Sequence, residues 1–261
     1  MLGGMSEHNT AWVVGMGEVG RRLARALEAG GWTVIPVTRQ EGWDSVGAGV
    51  GPVLVCVREE ALPEVVGRLE GVAPERLVFV QNGWIRPALE GVPRCSRGLI
   101  WFTSKGDFFA ELRPSPFSGP AAWAVADALT SGGLAAQAVI DAEFAALEAE
   151  KMGFNCVVGL PLAVHGLSLG EYLAGHPDEA RQVFDEAVIA CSRVLGVAAN
   201  PRWWDDFVKV CGPLDWVKVR EAKALDLRNG AVVRLAAGVA VPAPANRSLL
   251  ERAGYPLPPE N

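Results

Sequence analysis

Hydrophobic and polar residues change rhythm about halfway along this chain. In the first half, short apolar runs alternate with stretches of helical periodicity. TAWVV at 10–14 is an apolar run that ends at a glycine cluster. Residues 18–30 put Val19, Leu23, Ala26 and Leu27 on one helical face, and Gly30-Gly31 stops that helix. TVIPVTR (33–39), PVLVCVR (52–58) and LVFVQNG (77–83) read as three further strands. Weaker strand signals follow at 97–102, 108–112 and 135–140. Alternating strands and helices predict an α/β fold, a parallel sheet with helices on both faces.

From Asp141 onward the signals are almost all helical. Helices are expected at 142–158, 162–174, 178–196, 202–211, 216–237 and 245–253. Asn200-Pro201 and Gly212-Pro213 mark breaks. The expected organisation is therefore a Rossmann-type domain at 1–140 and an all-helical domain at 141–261. Pro-rich pieces at 240–246 and 255–259 read as a turn and a tail.

Composition narrows the class. The chain has 261 residues, half of them hydrophobic, enough for two medium cores. Its net charge of -6 and lack of a basic run argue against nucleic acid as a partner. No apolar stretch is long enough to span a membrane. The first ten residues lack the features of a signal peptide and read as a loose tail. Five scattered cysteines, with no CxxC spacing, fit buried thiols in a reducing compartment, and the expected location is cytoplasmic. The three histidines lack metal-ligand spacing, so no metal is expected.

The first strand runs into GMGEVG. This is the G-x-G-x-x-G fingerprint after a strand and opening a helix. Gly15 permits a tight turn, Gly17 lets backbone approach a pyrophosphate, and Gly20 lets helix and strand pack closely. The helix N-terminus favours the phosphate charge. Gly15, Met16, Gly17, Glu18, Val19 and Gly20 are the expected cofactor-binding turn. A glycine turn that binds nothing is the bland alternative. The second strand ends VTRQ, which puts Arg39 where a 2′-phosphate is selected, and the expected cofactor is NADP(H). Nearby Glu41 leaves NAD open.

EKMGFNCVV, 150–158, places Lys151 and Asn155 on one face of an otherwise apolar helix. Two readings stand on these residues alone. A desolvated lysine has a lowered pKa, which suits a proton donor to an alkoxide formed by hydride transfer, with the amide orienting substrate oxygens. Alternatively, Lys151 snorkels at the helix edge. His165 and His176 read as a helix-surface and a turn residue. Trp84 and Trp101 read as pocket wall or core. Trp203-Trp204 reads as a helix start packed on a neighbour, or an interface patch.

Over most of its length the chain resembles the ketopantoate reductases (2-dehydropantoate 2-reductases). The resemblance rests on GMGEVG, Arg39, VCVR ending at Arg58 where the family has lysine, QNG at 81–83, KMGFNCVV, and LDLRNGAVVRLAAGVAVPAPAN at 225–246. It implies that Lys151 is the general acid and Asn155 binds substrate. It places Asn82 near the nicotinamide end of the cofactor and Arg58 with the cofactor residues; alone, Asn82 would be an ordinary strand-ending turn residue. It also implies NADPH-dependent reduction of ketopantoate in pantothenate biosynthesis by a cytoplasmic homodimer, with Lys151 and Asn155 facing the cofactor across an interdomain cleft.

The departures gather at the substrate positions. A second family asparagine and its proline become Gly159-Leu160, a glutamate becomes Ala224 and a serine becomes Gly212. Glu221 stands one helical turn before Ala224 and is a candidate substitute. Losing these hydrogen-bonding groups changes what a pocket prefers. A more apolar 2-oxo acid is thus a competing substrate. A nucleotide-binding sensor without reductase activity is the competing class, and the Lys151–Asn155 pair argues against it.

Overall fold

The computed structural model describes residues 9–105 and 108–257. Most of the expected N-terminal tail and the last residues of the C-terminal one lie outside these. Two compact units divide between Phe144 and Ala145, against an expected boundary near 140.

In the first unit, β1 (Thr10–Val14), α1 (Glu18–Ala29) and β2 (Thr33–Val37) open the chain. α2 (Trp43–Ala48), β3 (Val53–Val55), α3 (Leu62–Arg68), β4 (Leu77–Phe79) and β5 (Ser96–Gly98) follow. β6 (Phe102–Lys105) and β7 (Phe108–Glu111) form their own antiparallel ribbon. β8 (Ser115–Ser118), α4 (Ala122–Ser131) and β9 (Ala136–Ala138) close the unit. The main sheet runs β2-β1-β3-β4-β5-β8-β9. Pairs from β2 to β5 are parallel, as the alternation predicts. β5 and β8 are antiparallel, so the sheet is mixed. The pattern did not announce β8, whose four residues are all buried and show no alternation. The expected strand at 108–112 belongs to the ribbon and not to the main sheet.

β1 is the hub, and its last four residues are buried, because helices cover both faces of a parallel strand. Ala11 and Val13 join Leu23 and Leu27 of α1, Leu54, Phe117 and Leu129 in one apolar core. Val14 stands opposite both Val37 and Val55. The strand order therefore reverses beside β1, and the chain leaving β1, β2 and β3 meets at one sheet end. In open α/β sheets that crevice is the usual ligand position.

The second unit is helical: the rest of α5 (Asp141–Val157), then α6 (Leu160–His165), α7 (Leu169–Gly175), α8 (Pro177–Leu195), α9 (Trp203–Cys211), α10 (Asn229–Gly238) and α11 (Pro244–Arg252). The helix expected at 162–174 is two. Gly166 ends α6 in the left-handed conformation, and Ser168 starts α7 with a capping box to Glu171. The helix expected at 216–237 exists only from Asn229. Ahead of it Ala224 adopts φ +51°, which breaks a helix, and Ser168 and Lys218 form an isolated β-bridge. Local composition there is helical, but the Asp215 and Val217 carbonyls accept from the Gly170 and Leu169 N–H groups. These tertiary bonds replace the helical ladder.

Candidate functional site

The fingerprint glycines carry out distinct steric tasks. Gly15 sits at φ +92°, and a Cβ there would stand 3.0 Å from the Val57 backbone nitrogen. A Cβ on Gly20 would lie 2.0 Å from the Gly15 oxygen, so only glycine lets α1 press against the turn. Gly17 has nothing within 4 Å of its Cβ position: its backbone is open to a ligand. Arg21 donates to the Met16 carbonyl at 2.8 Å and steadies the turn. Met16 and Val19 pack against the core. Glu18 is exposed in the first turn of α1.

A cavity of about 320 Å³ opens beside this turn. Gly15, Met16, Gly17, Arg39, Trp43, Arg58 and Arg68 help to line it. Three guanidiniums thus share it with one carboxylate, Glu64. The Trp43 indole N–H donates to the Thr38 carbonyl at 2.6 Å, which ties it to the end of β2. Arg68 lies over that indole, 3.7 Å from its centroid. Neither Trp43 nor Arg68 was expected. Their pairing joins α2 to α3 across 25 positions, beyond any local signal. Of the remaining expected residues, Glu18, Val19, Gly20 and Asn82 lie outside the cavity lining. Asn82 follows β4, where its neighbour Gln81 donates to the Val55 and Val57 carbonyls at 2.8 and 3.2 Å. Gln81 thus fastens the segment carrying Asn82 to the one carrying Arg58. These residues fit a dinucleotide: an open glycine turn, a helix start and an arginine-rich edge.

In the second unit α5 buries an unusual set of polar groups. Lys151 is 5% exposed and Asn155 6%, and Glu148 and Glu150 are buried as well. Charged side chains are rarely so deep. The Lys151 ammonium lies 4.3 Å from the Phe154 ring centroid. Phe154 meets Phe207 edge-on, and Phe207 packs on Phe184 and Trp204. Gly153 makes this layer possible, because a Cβ there would stand 2.7 Å from the Phe184 ring. Burial pushes the Cys211 thiol up to about 12, Asp215 adds to the rise, and the nearby Lys151 charge pulls it back. The side-chain nitrogen of Asn155 is buried without a hydrogen-bond partner. The lysine is therefore enclosed, not snorkelling, and its amide neighbour has a donor to offer.

A polar network the sequence reading missed holds this helix end. Glu186 of α8 accepts from the Ala245 N–H, the Asn246 N–H and the Asn246 side chain, at 2.9, 2.9 and 2.8 Å. Asn229 donates to Asn246 at 2.9 Å and to the Cys156 carbonyl at 3.2 Å. His176 stands in the turn between α7 and α8, as expected, whereas His165 at the end of α6 is mostly covered. Their rings are 4.2 Å apart, and His165 bonds Glu179 at 2.7 Å. Trp84 and Trp101 are core, and Trp203 is buried at the start of α9. Among the described residues no group of three His, Cys, Asp or Glu side chains is placed to hold a metal. No described helix is long and apolar enough to cross a membrane.

No protein-family model matches the sequence, and no curated protein matches it significantly. Solved structures do. A ketopantoate reductase of the PanE/ApbA family from Ralstonia eutropha JMP134 aligns with TM-score 0.75 at 16% identity, over 94% of this chain and 96% of its own. D-mandelate dehydrogenase with NADH and anilino(oxo)acetate aligns with TM-score 0.74 at 14% identity, over 94% and 97%. The dimeric ketopantoate reductase of Staphylococcus aureus gives 0.71 at 14%, over 94% and 98%. Sequence identity this low with near-complete coverage of both chains establishes architecture: the chain has the fold of the ketopantoate reductases, a Rossmann-type unit followed by a helical one.

Proposed function

We propose that this protein is an NADPH-dependent reductase of 2-oxo acids, with 2-dehydropantoate the first substrate to test. The observation that carries the reading is the buried Lys151–Asn155 pair, an ammonium and an amide donor on one helix. The Gly15–Gly20 turn and Arg39 would hold NADPH, whose nicotinamide would supply the hydride for the carbonyl carbon. Lys151 gives its proton to the carbonyl oxygen, and its positive charge stabilises the alkoxide as it forms. The resulting neutral amine regains a proton from water. Asn155 directs its buried N–H at a substrate oxygen. Phe154 and the aromatic layer behind it hold the ammonium in place and exclude water, which strengthens both interactions.

NADP preference rests on Arg39, Arg58 and Arg68 around one cavity, since a 2′-phosphate favours guanidinium partners. Arg39→Ala is expected to weaken NADPH binding about tenfold or more while NADH changes little; equal loss for both would contradict a 2′-phosphate contact. A cytoplasmic homodimer serving pantothenate biosynthesis belongs to the same reading, and the dimeric S. aureus structure supports its assembly half. Sedimentation velocity tests that half directly.

A second reading, reduction of a bulkier apolar 2-oxo acid, is favoured by Gly159 and Ala224, which bring no hydrogen-bonding side chain. The ligand of the D-mandelate dehydrogenase complex, anilino(oxo)acetate, is of that kind. Steady-state NADPH oxidation with ketopantoate and a panel of 2-oxo acids separates the two. Tight NADPH binding with no turnover of any of them would overturn both.

A further inference from the structure

Lys151, Asn155 and Gly159 succeed one another at intervals of four, along α5 and the turn that ends it. The row presents an ammonium, an amide and then no side chain. The place left at Gly159 borders on another cation. A Cβ built there would be 3.2 Å from the Asn155 backbone oxygen and 3.9 Å from Nη1 of Arg228. Arg228 thus brings a guanidinium from sequence far away to the end of the Lys151–Asn155 row.

Its position is built, not incidental. The next residue, Asn229, is fully enclosed and donates to the Cys156 carbonyl, one residue after Asn155. That bond and the Asn246 contact fix the backbone from which Arg228 projects. The Arg228 charge also reaches α5: burial pushes the Cys156 thiol up to about 12, and Arg228 is the group pulling it back.

We propose that Arg228 anchors the carboxylate of the substrate, next to an oxygen held by Asn155. The proposal rests on the reductase reading and deepens it by naming the group recognised. A guanidinium offers two parallel N–H donors that match a carboxylate, which an asparagine in the Gly159 place could not supply with charge. The unsatisfied Asn155 amide is the second, independent sign of a missing acceptor. The row then reads in chemical order: Lys151 for the carbonyl oxygen, Asn155 for orientation, Arg228 for the acid. The substrates are free 2-oxo acids, and their esters and amides are excluded.

The test compares pyruvate, 2-oxoisovalerate and phenylglyoxylate with their methyl esters, using NADPH, in wild type, Arg228→Gln and Arg228→Lys. Thermal melts check folding of each variant. Arg228→Gln should lower the acid-to-ester ratio of kcat/KM by about 10- to 100-fold, mainly through KM for the acid. Arg228→Lys should restore part of the ratio. Acid and ester falling together, or an unchanged acid KM, would overturn the proposal and leave Arg228 as a cation favoured at the C-terminus of α5. That result leaves wild-type turnover intact, so it is distinct from failure of the reductase reading, in which wild type reduces neither acid nor ester and both ideas fall.

Discussion

Lys151 shows how far single residues could be read. Its apolar neighbours and the asparagine four places on were visible in the sequence, and they left proton donor and snorkelling lysine both open. Burial sets the snorkelling lysine aside, and the proton donor is the role we propose. Replacing Lys151 by Ala is expected to cut kcat by about 10²- to 10⁴-fold, the usual range for a lost general acid. Unchanged kcat would remove the lysine from the chemistry. Gly153 carries no signal in the sequence, yet Phe184 occupies the space where its side chain would go. Gly153→Ala should lose about 1–3 kcal/mol through overpacking, seen as a lower urea midpoint. A neutral result would mean that Phe184 turns away at little cost. Trp43, Arg68 and Arg228 could not be found in advance, because each acquires its role from a residue that only folding brings near.

Elements were legible where one physical rule governed them. α1 announced itself by periodicity and terminal glycines, and β1 by an unbroken apolar run. Errors arose where tertiary bonds overrode composition, as between 216 and 228. Ser168-x-x-Glu171 was a capping box in plain view, and reading it would have divided the helix expected at 162–174. The Glu186–Asn246–Asn229 network was illegible because its members lie on three helices. At least four hydrogen bonds converge there, so its loss should affect α8, α10 and α11 together. Glu186→Gln keeps the shape and removes the charge. It should cost about 1.5–3 kcal/mol, since hydrogen bonds to an ionised group are the ones weakened. Hydrogen exchange should then speed up at the start of α11; unchanged exchange there would show that the network is not what holds that helix.

At the scale of the whole molecule, the α/β-then-helical plan was readable from the change of rhythm alone. The antiparallel entry of β8 was not, since strand direction leaves no trace in a four-residue run. One property belongs to both units at once. Burial pushes the thiols of Cys56, in the first, and Cys156 and Cys211, in the second, up to about 12 from 9.0. Folding therefore favours the protonated thiol. The associated stability is complete below about pH 9, where unfolded thiols are also protonated, and declines as pH rises toward 12. The decline is at most about 1.4 kcal/mol per pH unit for each thiol. Denaturant melts at pH 8 and 10 should show it, with a shallower fall in Cys156→Ala. An equal fall in that variant would assign the loss to other groups.

The fastening of Asn229 to the Cys156 carbonyl has an evolutionary corollary. The irregular run before that asparagine, from Trp216 to Arg228, is tied by backbone bonds at its two ends, where Val217 accepts from Leu169 and Arg228 accepts from Val232, and its last residue overlooks the end of the Lys151 helix. Lineages could lengthen, shorten or recompose the stretch between those ties without unfolding the scaffold, and each revision would re-aim the residue at position 228. Relatives with the same acid and different appetites are expected to differ there first.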